Sequence, residues 1–426
     1  MKKSLFTEVL FFLFLLSFFG ENLFTEERTI VYSAEETKMK TPETSKHFEK
    51  FTDPESGVVS WILKPNTVAM NQQTLYFTNP SMSKDGRYLW FYCMFSMKGS
   101  RRSLGVLDFQ TDEAHYFPET EGCGFSAMVD PDTGDVYWAN TSKGIFRRSP
   151  DPTKKAEQIC GIPENFPKGE KIRQLVCHLS WNPDKTKFFL DSRVDNHFFC
   201  GTIDIKTGMY TKWYDMDFMH NHAQFNPVRE EPVFLCKEFY YDHYKKIKER
   251  IRIPRDKNGI YERLWLLTKK DGFKRIDPYG GKEGYATHEW WSANGKYLYY
   301  CGGKNGAIRY DLDTGEQTVV VPLNPTHCQS SKNDLYFAFD RSVGPWYRGC
   351  SWTVHFYNSE SKKDLAIVSK IPAYNTKENE SVLHPDPHPQ FVASDRYIAS
   401  TFNVDGKITV LLTPVEPLIA KTGKSQ

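Results

Sequence analysis

Short apolar runs broken by Asp/Asn/Gly turns recur along most of the chain. The stretch HLSWNPDKTKFFL, opening at His178, shows the unit: a short strand, a tight turn, and a second strand rich in aromatics. The same frame opens at His222 (HAQFNP), His288 (HEWWSANGKYLYY), His327 (HCQSSKNDLYFAF) and His388 (HPQFVASDRYIAS). Two earlier segments fit without histidine, NPSMSKDGRYLWF at Asn79 and SAMVDPDTGDVYW at Ser126. Third strands with a second turn follow in many copies, as LDFQTDE, IDIKTGM and YDLDTGE mark at Asp108, Asp204 and Asp311.

Irregular antiparallel repeats of about 40–50 residues point to a β-propeller, with one four-stranded blade per repeat. The expected fold is all-β: a seven-bladed β-propeller over 57–416, its last blade closed by an N-terminal strand from 57–66. In that geometry the first strand of each blade lines the central channel. The repeated position then forms a ring around one mouth, and five of its seven members are histidine. A random placement of 12 histidines in 426 residues does not produce that ring.

Composition agrees with many short strands: aromatics are 15% of the chain, and 27 Gly and 24 Pro are spread along it. A net charge of +2 argues against a global polyanion-binding field and against a nucleic-acid partner. Two lysines and an apolar run over 9–19 read as a signal peptide, 1–34, followed by a linker, 35–56. The expectation is a secreted or periplasmic monomer with no stable membrane insertion and a tail at 417–426. Nine cysteines without a CxxC pair, several ending apolar runs, predict few or no disulfides.

Two departures from blade regularity fall on the face of the ring. DSRVDNHFF puts Arg193 and His197 in a loop there. A long insertion after the second strand of the fourth copy carries eight Lys/Arg against four Asp/Glu over 240–263, interleaved with tyrosines. Tyr240, Arg193 and Arg255 are the candidate substrate contacts; aromatic faces with guanidinium forks suit a carboxylated sugar chain. Imidazoles from adjacent blades also suit a metal. His288, His327 and His388 with Cys328 are the expected ligands, and nitrogen with sulfur favours zinc over manganese or calcium. His384 and Asp386 in HPDPHP stand ready to contribute or orient.

ATHEWW, HAQFNP and HPDPHPQF resemble the propeller polysaccharide lyases: oligogalacturonate lyase, the propeller ulvan lyases and the rhamnosyl-glucuronate lyases. The resemblance runs from about residue 57, with specificity in the blade-start motifs. In oligogalacturonate lyase the THE[FW]W histidine and an HPHP segment bind a metal; here Asp386 stands where that segment has a histidine. The spacing of His178 and His197 resembles that of the ulvan lyases, with Tyr241 or Tyr244 and Arg263 completing the set. The resemblance implies β-elimination on a uronic-acid glycan, glucuronate-type rather than galacturonate. It casts His222 or His178 as base, Arg263 and His197 at the carboxylate, and Tyr241 or Tyr244 as acid. A non-catalytic glycan-binding propeller and a metal-dependent hydrolase or lactonase remain the alternatives.

Overall fold

The computed structural model describes residues 38–95, 101–240, 251–252, 255–343, 351–373 and 386–423. The leader 1–34, Tyr241, Tyr244, His384 and the side chain of Tyr240 lie outside the described residues.

Seven antiparallel sheets follow one another along the chain. Blade 1 spans 71–117, blade 2 128–160, blade 3 172–216, blade 4 219–276, blade 5 287–321 and blade 6 328–371. Blade 7 begins with Gln390–Val392, Tyr397–Val404 and Lys407–Pro414 and is completed by Val59–Leu63, with Trp61 opposite Leu412 and Ile62 opposite Leu411. Pairing the two ends of the chain in one sheet closes the ring and removes two free sheet edges. The stretch expected as a linker supplies a fifth strand, Phe48–Thr52, paired along Val59–Leu63. Phe48 and Phe51, on opposite faces of this strand, pack against Phe109 and Phe402 respectively, which a solvated linker would not do. The expected tail forms a helix, Val415–Thr422, that buries Val415 and Leu418 against blades 6 and 7. No described helix is long and apolar enough to cross a membrane.

The core lies between blades rather than within one. Each cluster takes side chains from adjacent sheets, as Phe188 and Leu190 of blade 3 pack with Met128, Ala139 and Ile145 of blade 2. The eight described cysteines are free thiols, all but Cys177 fully buried, and behave as small apolar residues.

Blade 1 departs from the expected register. Its inner strand is Asn71–Gln73, earlier than Asn79, and the residues after it cross the channel. Gln390 grips this crossing segment at Leu75 O (2.9 Å) and Ser81 N, Gln329 donates to Phe77 O (2.7 Å), and Asn79 Nδ2 donates to Ala127 O (3.0 Å). Asn79 is therefore no member of the histidine ring. Ser126 stands at the ring position of blade 2, but its hydroxyl is spent on Cys123 O and Ala139 N.

Candidate active site

The ring position in blades 4, 5 and 7 is built on unusual backbone. His222, His288 and His388 have φ of +55°, +50° and +47°. L-residues enter this left-handed region at a cost, and in blades 4 and 5 it coincides with register shifts of the inner strand. The bulge re-aims successive side chains, so that His288 and Glu289 both serve the channel mouth.

The five imidazoles lie close together. Ring centres are 5.4 Å apart for His178 and His222, 4.0 Å for His288 and His327, and 4.3 Å for His327 and His388. The crossing segment places two aromatic rings among them. Tyr76 stacks on His178 at 4.0 Å and meets His222 and His388 edge-on; Phe77 contacts His288, His327 and His388. Tyr76 and Phe77 thus fill the space between the imidazoles of blades 3 to 7.

Hydrogen bonds fix several tautomers, because a carbonyl only accepts. His178 Nδ1–H donates to Phe125 O (2.9 Å), and His288 Nδ1–H donates to Thr326 O. His327 Nδ1 bonds the carboxyl of Asp340 (2.9 Å), which also accepts the backbone N–H groups of His327 and His388. Burial holds His327 down to about 3 and His288 well below its ordinary range, so both are neutral at physiological pH.

Among the described residues, ligand atoms of His327, Asp386 and His388 lie within 4.8 Å of one another. His327 Nε2 is buried without a hydrogen-bond partner, 3.8 Å from Asp386 Oδ2. Two neutral imidazoles and a carboxylate, with Asp340 orienting one imidazole from behind, fit a divalent cation. Asp386 thus takes the place expected for Cys328. Strand alternation turns Cys328 the other way, into the apolar cluster of Tyr299, Cys301 and Phe337, where burial raises its thiol well above the usual range. The sulfur that favoured zinc is not at the site. His288 stands beside the trio.

His222 has a different neighbourhood. Its side chain is 14% exposed, and its buried Nδ1 points at Glu289 Oε2, 3.6 Å away. Glu289 is fully buried: burial pushes its carboxyl up, but Arg263 and His222 outweigh that and hold it at about 2. Arg263 donates to Glu289 (2.6 Å) and Glu238 (2.7 Å) and is itself buried. This corrects the reading of Arg263 as a carboxylate clamp for substrate, because its guanidinium already holds two protein carboxylates.

The remaining candidates are placed elsewhere. His197 leans toward the outer strands of blade 3 and pairs with Asp215 (2.8 Å) at 46% exposure. Arg193 is held within its own hairpin by Asp195 O and Asn196 and lies over Phe198. Arg255 is taken up by the carbonyls of Gly259, Lys282 and Gly284. Among the described residues none of these contacts joins the imidazole cluster; each side chain is engaged by a partner within its own blade or an adjoining loop. Sequence reasoning missed Tyr76, Glu238, Glu289 and Asp340. Glu289 carried a signal, an acidic residue beside a blade-start histidine inside an apolar strand; Tyr76 carried none, since its strand was set out of register.

No family model matches the chain. Oligogalacturonate lyase of Dickeya dadantii (strain 3937) is 22% identical over 409 residues, covering 86% of this chain and 96% of that protein. Two solved structures cover the same shares at 19% identity: an oligogalacturonate lyase in complex with manganese (TM-score 0.65) and the oligogalacturonate lyase of Vibrio parahaemolyticus (TM-score 0.66). Both likenesses extend over almost the full length of the relatives. The chain is thus a homologue of oligogalacturonate lyase and shares its β-propeller fold.

Proposed function

We propose that the chain is a carbon–oxygen lyase that cleaves uronic-acid oligosaccharides by β-elimination at the histidine-lined mouth. The observation that carries this reading is His222, a partly exposed imidazole backed by the buried, ionised Glu289. With its Nδ1 proton directed at Glu289, Nε2 is left to accept a proton, as a general base near neutral pH requires. His222 takes the proton from C5 of the uronate, the C–H electrons form the C4–C5 double bond, the C4–O4 bond breaks, and the leaving oxygen takes a proton from water. Arg263 keeps Glu289 charged and in place, and Glu238 holds the other side of the Arg263 guanidinium.

A manganese-bound homologue supports a divalent metal at His327, Asp386 and His388. Bound there, it supplies positive charge toward the uronate carboxylate and so acidifies C5–H. The donor set suits manganese or zinc. The named activity of the relatives supports galacturonate as much as the glucuronate expected from the motifs, so both belong in the assay. The apolar run at 9–19 supports an exported enzyme.

Incubation with oligogalacturonates, ulvan fragments and rhamnosyl-glucuronates, followed at 230–240 nm where the unsaturated uronate absorbs, is the test. A chromophore from any of them supports the lyase. Cleavage without one means a hydrolase, and binding without cleavage means a glycan-binding module.

A further inference from the structure

A second group of ligand atoms sits on the side of blades 3 and 4. Cys177 and His178 follow the inner strand of blade 3, Ile172–Gln174, and His222 belongs to that of blade 4, Met219–Gln224. One ligand atom from each, a sulfur and two imidazole nitrogens, lie within 4.8 Å of one another. Zn–N bonds of ~2.0–2.1 Å and a Zn–S bond of ~2.3 Å hold tetrahedral donors roughly 3.3–3.7 Å apart, so closing in by about an ångström brings all three to one ion.

The set is held ready from behind. Asp191 accepts the backbone N–H groups of Cys177 (2.7 Å) and Ala223 (3.4 Å), and so ties the two ligand-bearing segments together across the blade boundary. His178 donates Nδ1–H to Phe125 O (2.9 Å), which puts its lone pair on Nε2, and Tyr76 lies flat on its ring at 4.0 Å and fixes its plane. Seven of the eight described cysteines are buried, whereas Cys177 is half-buried, and the His222 side chain is 14% exposed. Cys236 also lies close to His222, but its thiol bonds Asn221 Oδ1 (2.9 Å), and the neighbouring Glu289 is taken by Arg263.

We infer that Cys177, His178 and His222 form a second metal site, for a thiophilic divalent cation such as zinc, whose occupation silences the base. Sulfur distinguishes it from the His327 trio, whose two nitrogens and carboxylate oxygen also suit manganese. On binding, the Cys177 thiol gives its proton to solvent and both imidazoles coordinate as neutral lone-pair donors, with water in the fourth position. Burial raises that thiol well above its usual range, and the trio has no thiol proton to displace, so the trio fills first and this site takes the excess. A neutral imidazole has one lone pair. Whichever nitrogen of His222 meets the ion, the other carries the proton, and the base for C5–H is lost. That consequence rests on the lyase reading above; the ligand set does not.

The test titrates the manganese-loaded full chain with cobalt(II), which reports a bound thiolate by a charge-transfer band in the near ultraviolet, and then with zinc(II), which displaces the cobalt. The expected result is a saturable band that zinc removes, weakened ~10-fold or more in Cys177→Ser, in His178→Ala and in His222→Ala, and retained in Cys236→Ser. His178→Ala leaves every thiol in place, so it decides the matter even if Cys177→Ser fails to fold. Excess zinc should lower uronate cleavage by ~10-fold or more in wild type and not in Cys177→Ser, each rate taken against its own manganese-only value. A wild type that cleaves none of the uronates sinks the lyase reading alone, and the band still decides the site. No band, a band of equal strength in Cys177→Ser, or one lost in Cys236→Ser overturns the site. A band with cleavage undiminished overturns the placement of His222 on the ion.

Discussion

Arg263→Met tests the electrostatics of the mouth most directly. The substitution keeps the length of the side chain and removes a buried charge from between Glu289 and Glu238, at 2.6 and 2.7 Å. Two routes give its size. The carboxyl of Glu289 is held at about 2 against an ordinary 4.5, and at ~1.36 kcal/mol per pH unit that drop corresponds to about 3 kcal/mol, shared between Arg263 and His222. Removing one partner of a buried ion pair costs ~3–5 kcal/mol in general. The expected loss is therefore about 3 kcal/mol near neutral pH. The sign of its pH dependence follows. A lowered carboxyl stabilises the wild type above pH 4.5, and that stability is lost as pH falls through about 2. In the variant burial is no longer outweighed, the carboxyl rises, and acid relieves its penalty instead. The gap between wild type and variant should narrow between about pH 7 and pH 4. Reversible urea unfolding read by tryptophan fluorescence measures both. A variant within about 1 kcal/mol of wild type near neutral pH, or a gap that does not narrow in acid, refutes the reasoning.

His222→Ala should lower turnover by ~10²–10⁴-fold; activity within tenfold of wild type removes it as the base. Metal analysis after expression should find less bound metal in His388→Ala, by ~10-fold or more in affinity, and unchanged metal in Cys328→Ser. Chelation should abolish uronate cleavage and add-back of manganese or zinc should restore it; activity indifferent to chelator argues against the cation site. Asp191 is buried between the backbone N–H groups of Cys177 (2.7 Å) and Ala223 (3.4 Å), and burial pushes its carboxyl up to about 7. A raised carboxyl favours the folded state while protonated, so its contribution falls as pH rises from about 4 through 7. Asp191→Asn should therefore gain on wild type across that range in paired thermal melts, and parallel curves speak against the assignment.

The blades were legible because strand pairing is local and repetitive. Each hairpin announces itself by a turn of Asp, Asn or Gly between apolar runs, and the histidine at each blade start could be counted along the chain. The N-terminal closing strand was legible too, since a last copy short of one strand must find it elsewhere. Less could be read where side chains choose among neighbours. His197, Arg193 and Arg255 were assigned by proximity in sequence to the right face, yet Asp215, Asn196 and the carbonyls of Gly259 and Gly284 hold them. Cys328 was assigned by adjacency to His327, but neighbours on a strand face opposite ways.

Local pattern by itself determined the seven-bladed all-β architecture and the histidine at each of five blade starts, because periodicity and turn chemistry act over a few residues. Tertiary structure alone decided what those histidines do. It sent Tyr76 and Phe77 through the channel, brought Asp386 rather than Cys328 beside His327, and set Arg263 between two carboxylates contributed by adjacent blades. The physical reason is range: hydrogen bonds and charges buried in a low-dielectric interior couple residues that only blade closure brings within a few ångströms.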